Sequence, residues 1–192
     1  MLETHLTNVA FAGQPATDHR RDITYRCIME NKSESFQKVN SVRPAAPYIG
    51  GKRALSKKLV GIIQDTPHTI YAEPFIGMGG VFLRRTLVAR SEIINDYSRD
   101  VATFFRVLQR HYIAFLEMLK WQLSTRAEFE RLVKTNPDTL TDLERSARFL
   151  YLQRLAFGGK VKGRNFGVDF RGSGRFNITK LGPVLEDIRP LA

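Results

Sequence analysis

The stretch "YAEPFIGMGGVFLRR", Tyr71 to Arg85, decides the reading of this chain. A short apolar run, residues 69–72, reads as a buried strand. Gly77, Gly79 and Gly80 follow as a turn, and "VFLRRTLVAR", residues 81–90, has the spacing of a helix. Next comes "SEIINDYS", with a second strand over 92–95 that ends at Asp96. Strand, glycine turn, helix, strand with a terminal acid is the first half of a doubly wound α/β sheet. Glycines at such a turn let a ligand approach backbone amides at a helix N-terminus. An acid at the end of the next strand can accept hydrogen bonds from ribose hydroxyls. The pattern suits an adenosine-containing ligand. It departs from G-x-G-x-x-G, because Gly77 and Gly79 have Phe82 where the third glycine would fall. A tight structural turn with no ligand is the plain alternative.

Working outward, "RPAAPYIGGKRALSKKLVGIIQDTP" precedes the strand. Pro44 and Pro47 enforce an extended approach, Gly50 and Gly51 form a turn, and Leu55, Leu59, Ile62 and Ile63 share one helical stripe. Residues 98–123 read as one long amphipathic helix. "STRAEFERLVK" starts another, with Ser124 or Thr125 as cap, and "TDLERSARFLYLQRLAF" a third. Thr141 and Glu144 stand at capping-box spacing before that third helix. Residues 1–43 lack any sustained period and read as a disordered leader, with Met29 as a second possible start.

The chain has 192 residues and 43% hydrophobic content, enough for a domain with a real core. No apolar run reaches the roughly 20 residues of a membrane span. The N-terminus does not read as a signal peptide, and a cytosolic location is the default expectation. The one cysteine, Cys27, cannot form an internal disulfide and reads as an ordinary thiol. No Cys/His cluster points to a metal. Thirty Lys and Arg against 19 Asp and Glu give a net charge of +11, which favours a polyanionic partner.

Four segments in order, "PYIGGKRALSKKL", "AEPFIGMGGVFL", "INDYSRD" and "RFLYLQRLAFGGKVKGRNFGV", resemble the adenine-specific DNA methyltransferases of the DNA adenine methylase type. The resemblance covers most of residues 44–182. It implies S-adenosylmethionine as cofactor, DNA as partner, and transfer of a methyl group to the exocyclic amine of adenine. It implies a Rossmann-like methyltransferase sheet, of which this chain is the N-terminal part, with a helical and loop DNA-recognition insertion. By resemblance, Tyr48 and Lys52 contact the cofactor, beside Gly50 and Gly51. Glu73, Pro74, Phe75, Gly77 and Gly79 form the floor of its site, and Asp96 binds the ribose. Lys52 is a partner for the cofactor's carboxylate, and Glu73 offsets positive charge. Arg154, Lys160, Lys162, Arg164, Arg171 and Arg175 supply positive charge for DNA phosphates. The phenylalanines among them, Phe157, Phe166, Phe170 and Phe176, read as packing residues rather than base-stacking ones.

The expected organisation is a leader to residue 43, a cofactor-binding half over 44–123, a DNA-recognition region over 124–182, and a truncated start of the remaining catalytic domain over 183–192. The family's Asp-Pro-Pro-Tyr motif, which presents the flipped adenine, is absent from these residues; "TNPDTL" is not a match. No catalytic residue is therefore assigned, and a truncated chain with little or no activity of its own is expected. The alternative is a non-catalytic DNA- or partner-binding remnant of such an enzyme. A nicotinamide-dependent oxidoreductase would explain neither the Gly-Gly-Lys turn nor the basic segment.

Overall fold

The computed structural model describes residues 36–167, 174–188 and 190. Among the described residues, four short strands and six α-helices make a mixed α/β structure. Strand β1 is Phe36–Lys38, β2 Ile70–Glu73, β3 Leu87–Ala89 and β4 Ser91–Ile94. The helices are α1 Ser56–Asp65, α2 Arg99–Arg110, α3 Tyr112–Lys120, α4 Arg126–Lys134, α5 Asp142–Leu155 and α6 Ile178–Ile188.

The strands form two separate pairs. β2 and β4 run parallel, with Ile70 opposite Ser91 and Glu73 opposite Ile94. Both expected strands are present, each shifted by about one residue at its ends. Strand alternation splits their faces: Tyr71 and Glu73 are buried, whereas Ile70, Ala72, Ser91 and Ile93 point outward. β1 and β3 pair antiparallel, Phe36 opposite Ala89.

That second pair corrects two expectations. The segment up to residue 43 is not wholly an unstructured leader. Phe36–Lys38 is a strand, Val42 donates its N–H to the Leu83 carbonyl at 2.7 Å, and Val42 is buried. Residues 1–35, with Cys27 and Met29, lie outside the described residues. The helix expected over 81–90 is absent. One 3-10 turn, Phe82–Arg84, is followed by β3. The reason is burial on several sides. Ile76, Met78, Val81, Phe82 and Leu83 are all buried, and Leu83 folds back over Gly79. Arg85 is 2% exposed, lies 3.8 Å from the centre of the Tyr71 ring and pairs with Glu92 at 2.6 Å. A buried guanidinium with those partners pins the chain where a helix would have continued.

The helices carry the core. α2 and α5 pack face to face, with Phe104 against both Phe149 and Phe115 at ring separations of 5.8 and 6.1 Å. α3, α4 and α6 close around them through Phe115, Leu119, Phe129, Leu181 and Leu185. The long helix expected over 98–123 is broken at His111, whose backbone leaves the helical region, so the chain turns between α2 and α3. Thr125 caps α4, and Thr141 with Glu144 forms the full capping box on α5, as the sequence indicates. The stripe expected on α1 is covered only in part: Leu59 is half-buried and Ile63 packs against the core. Leu55 and Ile62 are 59% and 54% exposed, and Ser56 is the buried residue, holding the Arg53 carbonyl and the Arg84 guanidinium.

Candidate functional site

Three segments far apart in sequence meet at the carboxyl ends of β2 and β4. The chain leaves β2 through Pro74 and Phe75 into the glycine turn, where Gly77 and Gly79 take φ values of +54° and +75°. Both values lie where a side chain would be strained. The turn closes through Gly79 N–H to the Ile76 carbonyl at 3.0 Å. At the end of β4, Asp96 reaches across to it. One carboxylate oxygen accepts the Gly77 N–H at 2.8 Å; the other accepts the Ser98 N–H at 2.8 Å. With no α-helix following the turn, Asp96 occupies a turn amide that the sequence pattern offers to a ligand. Each oxygen keeps a second lone pair, so the carboxylate can still accept from a diol.

The segment before α1 supplies the other wall. Gly51 N–H bonds the Tyr48 carbonyl at 3.0 Å, making the tight turn expected at Gly50 and Gly51. A Cβ on Gly51 would fall 2.8 Å from that carbonyl oxygen. The Tyr48 ring lies on Gly77, where a Cβ would meet it at 3.3 Å. Burial pushes the Tyr48 phenol above its ordinary pKa, Asp96 adds to this, and Arg164 opposes it. Lys52 donates to Glu73 at 3.1 Å and to the Phe75 carbonyl at 2.7 Å. It thereby ties the Gly-Gly-Lys turn to the end of β2. Two of its three ammonium protons are used, and one remains for an anionic group. Glu73 is buried, and its second oxygen accepts the Tyr71 hydroxyl at 2.8 Å. Burial, then the Glu73 charge, raise the Tyr71 pKa, so this phenol stays a donor. Phe75 stands 66% exposed at the mouth.

The residues expected to meet DNA divide into two sets. Lys160 and Lys162 are exposed and face solvent, where a polyanion can reach them. The three arginines are partly structural. Arg154 donates to the Ala45 and Arg175 carbonyls, both at 2.9 Å. Arg175 donates to the Ala156 carbonyl at 3.5 Å. Arg164 donates to the Lys160 carbonyl at 3.2 Å and turns inward toward Tyr48, Arg148 and Asp100. Burial and Arg148 push its pKa down while Asp100 and Tyr48 oppose. Arg171 and Phe170 lie outside the described residues. Phe166 packs on Phe129 and Phe176 on Tyr151, whereas Phe157 is 65% exposed.

Sequence reasoning missed the residue that locks these segments together. Gln153, fully buried on α5, donates to the Pro47 carbonyl at 2.7 Å and the Gly159 carbonyl at 2.6 Å. Gly159, at φ +67°, sits so close to Pro47 that a Cβ would lie 2.9 Å from the Pro47 backbone. Ile49 N–H then bonds the Gly159 carbonyl at 3.1 Å. The basic segment after α5 is thus stapled to the start of the Tyr48–Lys52 turn. A glutamine inside an apolar helix run was the available signal.

Among the described residues no three His, Cys, Asp or Glu side chains gather as a metal site, and no helix is long and apolar enough to cross a membrane.

A family profile, D12 class N6 adenine-specific DNA methyltransferase, matches residues 48–172. The chain is 27% identical over 164 residues to the DNA N-6-adenine-methyltransferase of Escherichia phage P1, covering 80% of this chain and 20% of that protein. It is 27% identical over 153 residues to the Type II methyltransferase M1.LlaDCHI of Lactococcus lactis subsp. cremoris, covering 75% and 51%. Over 144 residues it is 25% identical to the DNA adenine methylase of Haemophilus influenzae, covering 69% and 47%. The chain therefore spans about half the length, or less, of these curated relatives. The profile takes in the Tyr48 turn, the glycine turn, Asp96 and the stapled basic segment together, and the chain belongs to the D12 class of N6 adenine-specific DNA methyltransferases.

Proposed function

We propose that this chain carries the methyl-donor side of an adenine-specific DNA methyltransferase, acting on the exocyclic amine of adenine in DNA. The observation that carries the reading is the Asp96 carboxylate docked on the Gly77 amide, with the Lys52–Glu73 pair beside it. The parallel β2–β4 pair, with both loops leaving its carboxyl end, is read as the seed of a Rossmann-like sheet, where ligands bind at such ends.

The groups left over fit S-adenosylmethionine. Asp96 has lone pairs for ribose hydroxyls, Lys52 one proton for a carboxylate, and Phe75 and Tyr48 offer aromatic surface. S-adenosylmethionine, when bound, supplies a methyl group on a positively charged sulfur. The chain's residues would bind and orient the donor: Asp96 fixes the sugar, Lys52 the amino-acid end, and Glu73 keeps the local charge negative. In this reading residues 44–123 are the cofactor-binding half and 124–182 the DNA-recognition region. Lys160 and Lys162 are the residues proposed to face DNA phosphates first; Arg154, Arg164 and Arg175 act mainly by shaping that segment. These 192 residues hold no Asp-Pro-Pro-Tyr sequence, so methyl transfer by them alone is proposed to be slow.

Calorimetry with S-adenosylmethionine tests the reading. The chain is expected to bind it, and Asp96→Ala to weaken binding at least tenfold. Equal affinity in the variant would remove Asp96 from the site. Absence of binding by the unaltered chain would overturn the donor-side assignment.

A further inference from the structure

Tyr71 and Glu73 lie two residues apart on the same buried face of β2. Packing at position 71 asks only for an aromatic ring, which a phenylalanine would supply. That ring stacks against the Arg85 guanidinium, 3.8 Å from its centre, and against Phe82 at a ring separation of 6.3 Å. Arg85 is 2% exposed and is itself fixed, by Glu92 at 2.6 Å and by the Phe82 carbonyl at 3.3 Å. Its charge is met by Glu92 and not by Glu73. The ring plane is thus set from outside the donor site, and the hydroxyl is left to do something else.

It donates to Glu73 Oε2 at 2.8 Å. Glu73 is buried, and its two oxygens are divided between two donors, Oε1 taking Lys52 and Oε2 taking Tyr71. A buried carboxylate keeps its charge only when donors meet it. Lys52 is the less committed of the two. Its side chain is 39% exposed, and its ammonium also serves the Phe75 carbonyl. Tyr71 is buried, and burial and the Glu73 charge raise its pKa while Arg85 opposes, so the phenol keeps its proton at neutral pH.

We propose that Tyr71 is a positioning residue that holds the Glu73 carboxylate charged and fixed, and so sets the preference of the site for a positively charged donor over its uncharged counterpart. The inference rests on the donor-side reading above. S-adenosylmethionine carries a sulfonium. S-adenosylhomocysteine, which remains after methyl transfer, has a neutral sulfur and is otherwise alike. A fixed carboxylate where water is sparse favours the first by Coulomb attraction. A carboxylate that turns away or takes up a proton does not.

Tyr71→Phe keeps the ring over Arg85 and removes the hydroxyl alone. Calorimetry on the full chain reads the binding of both ligands by the unaltered protein, Tyr71→Phe, Glu73→Gln and the double variant. Tyr71→Phe is expected to weaken S-adenosylmethionine about tenfold and S-adenosylhomocysteine by less than about threefold, as for loss of a hydrogen bond to a charged group. In the Glu73→Gln background the same substitution should leave the ratio of the two affinities unchanged, because Tyr71 acts through Glu73. A merely structural role weakens both ligands alike, and that result overturns the proposal. So does a shift in the ratio that persists in the Glu73→Gln background. A second readout needs no ligand. Nitrogen NMR follows proton exchange at the Lys52 ammonium, which is slow while Glu73 and the Phe75 carbonyl hold it. Tyr71→Phe is expected to remove most of that protection; unchanged exchange also overturns the proposal. Binding of neither ligand by the unaltered chain is the failure of the donor-side reading, and the exchange measurement then still decides whether Tyr71 positions the Lys52–Glu73 pair.

Discussion

Phe104 on α2 and Ile93 on β4 are near neighbours in sequence and both are large and apolar. Phe104 is fully buried, whereas Ile93 is 57% exposed. The same contrast runs through the two regions they belong to. In the helical region, each apolar stripe meets another helix, and the charges are paired: Arg145 with Asp100 at 2.6 Å and with Asp138 at 2.9 Å. In the strand region, one face of the β2–β4 pair is exposed, with Ile70 and Ile93 more than half accessible, and the apolar stripe of α1 is covered only in part. The proposed donor site lies at the edge between the two. Stability should therefore reside in the helices, and the site should depend on a few backbone bonds to Asp96 and Lys52. The sharpest way to break this comparison is to damage the helical region and find little effect.

Phe149→Ala carries the largest expected effect. Its ring is 1% exposed and packs on Phe104, so truncation leaves a cavity that rigid helices cannot fill. A loss of about 3–5 kcal/mol is expected in denaturant unfolding. Asp100→Asn comes next. It removes the carboxylate that binds Arg145 and lies 3.9 Å from Arg148, leaving two largely buried guanidinium groups under-compensated. A cost of roughly 2–3 kcal/mol is expected, larger than for an exposed pair such as Arg106–Asp142. Equal costs for the two pairs would show that burial does not set the difference.

Thr141→Ala addresses the entry turn of α5 and is expected to cost about 1 kcal/mol. Hydrogen bonds from the Thr141 hydroxyl and backbone hold the Glu144 carboxyl below its usual pKa. The folded pKa lies below the unfolded one. Its contribution is thus fully present at neutral pH and fades as pH falls through the ordinary glutamate range and below. Unfolding of the unaltered chain should weaken over that range, and Thr141→Ala should flatten this part of the pH profile.

What was legible in the sequence follows the same division. Helices α4 and α5 announce themselves because their caps act locally: Thr125 and Thr141 meet amides three residues away. Strands β2 and β4 were legible from their apolar runs; β1 and β3 were not. The absence of a helix after the glycine turn was not, because it depends on Arg85 finding Glu92 and Tyr71, and on β1 arriving from a segment without periodicity. The break at His111 was equally hidden, since the apolar spacing continues across it. At the site, the glycine turn and Asp96 could be picked out from the pattern, and Lys52 through the family resemblance. What those residues bond could not. Lys52 is tied to Glu73 and to a carbonyl, and Arg154 holds backbone rather than pointing outward, because partners more than twenty residues away in sequence reach them first.

Ile93→Ser is the smallest change and the most discriminating test of the strand region. A side chain already 57% exposed has little burial to lose, so stability should move by no more than about 0.5 kcal/mol. Ile70, on the same outward face, should behave alike. The effect should appear instead in behaviour that responds to exposed apolar surface: binding of a hydrophobic dye and self-association at high concentration, both reduced in the double variant Ile70→Ser/Ile93→Ser. A stability loss near that of Phe149→Ala would mean that this face is covered in solution, and the contrast between the two regions would fall. Unchanged stability with reduced dye binding would place the fold's strength in the helices and leave the strand pair as a surface whose main task is to hold Asp96 and the glycine turn in register.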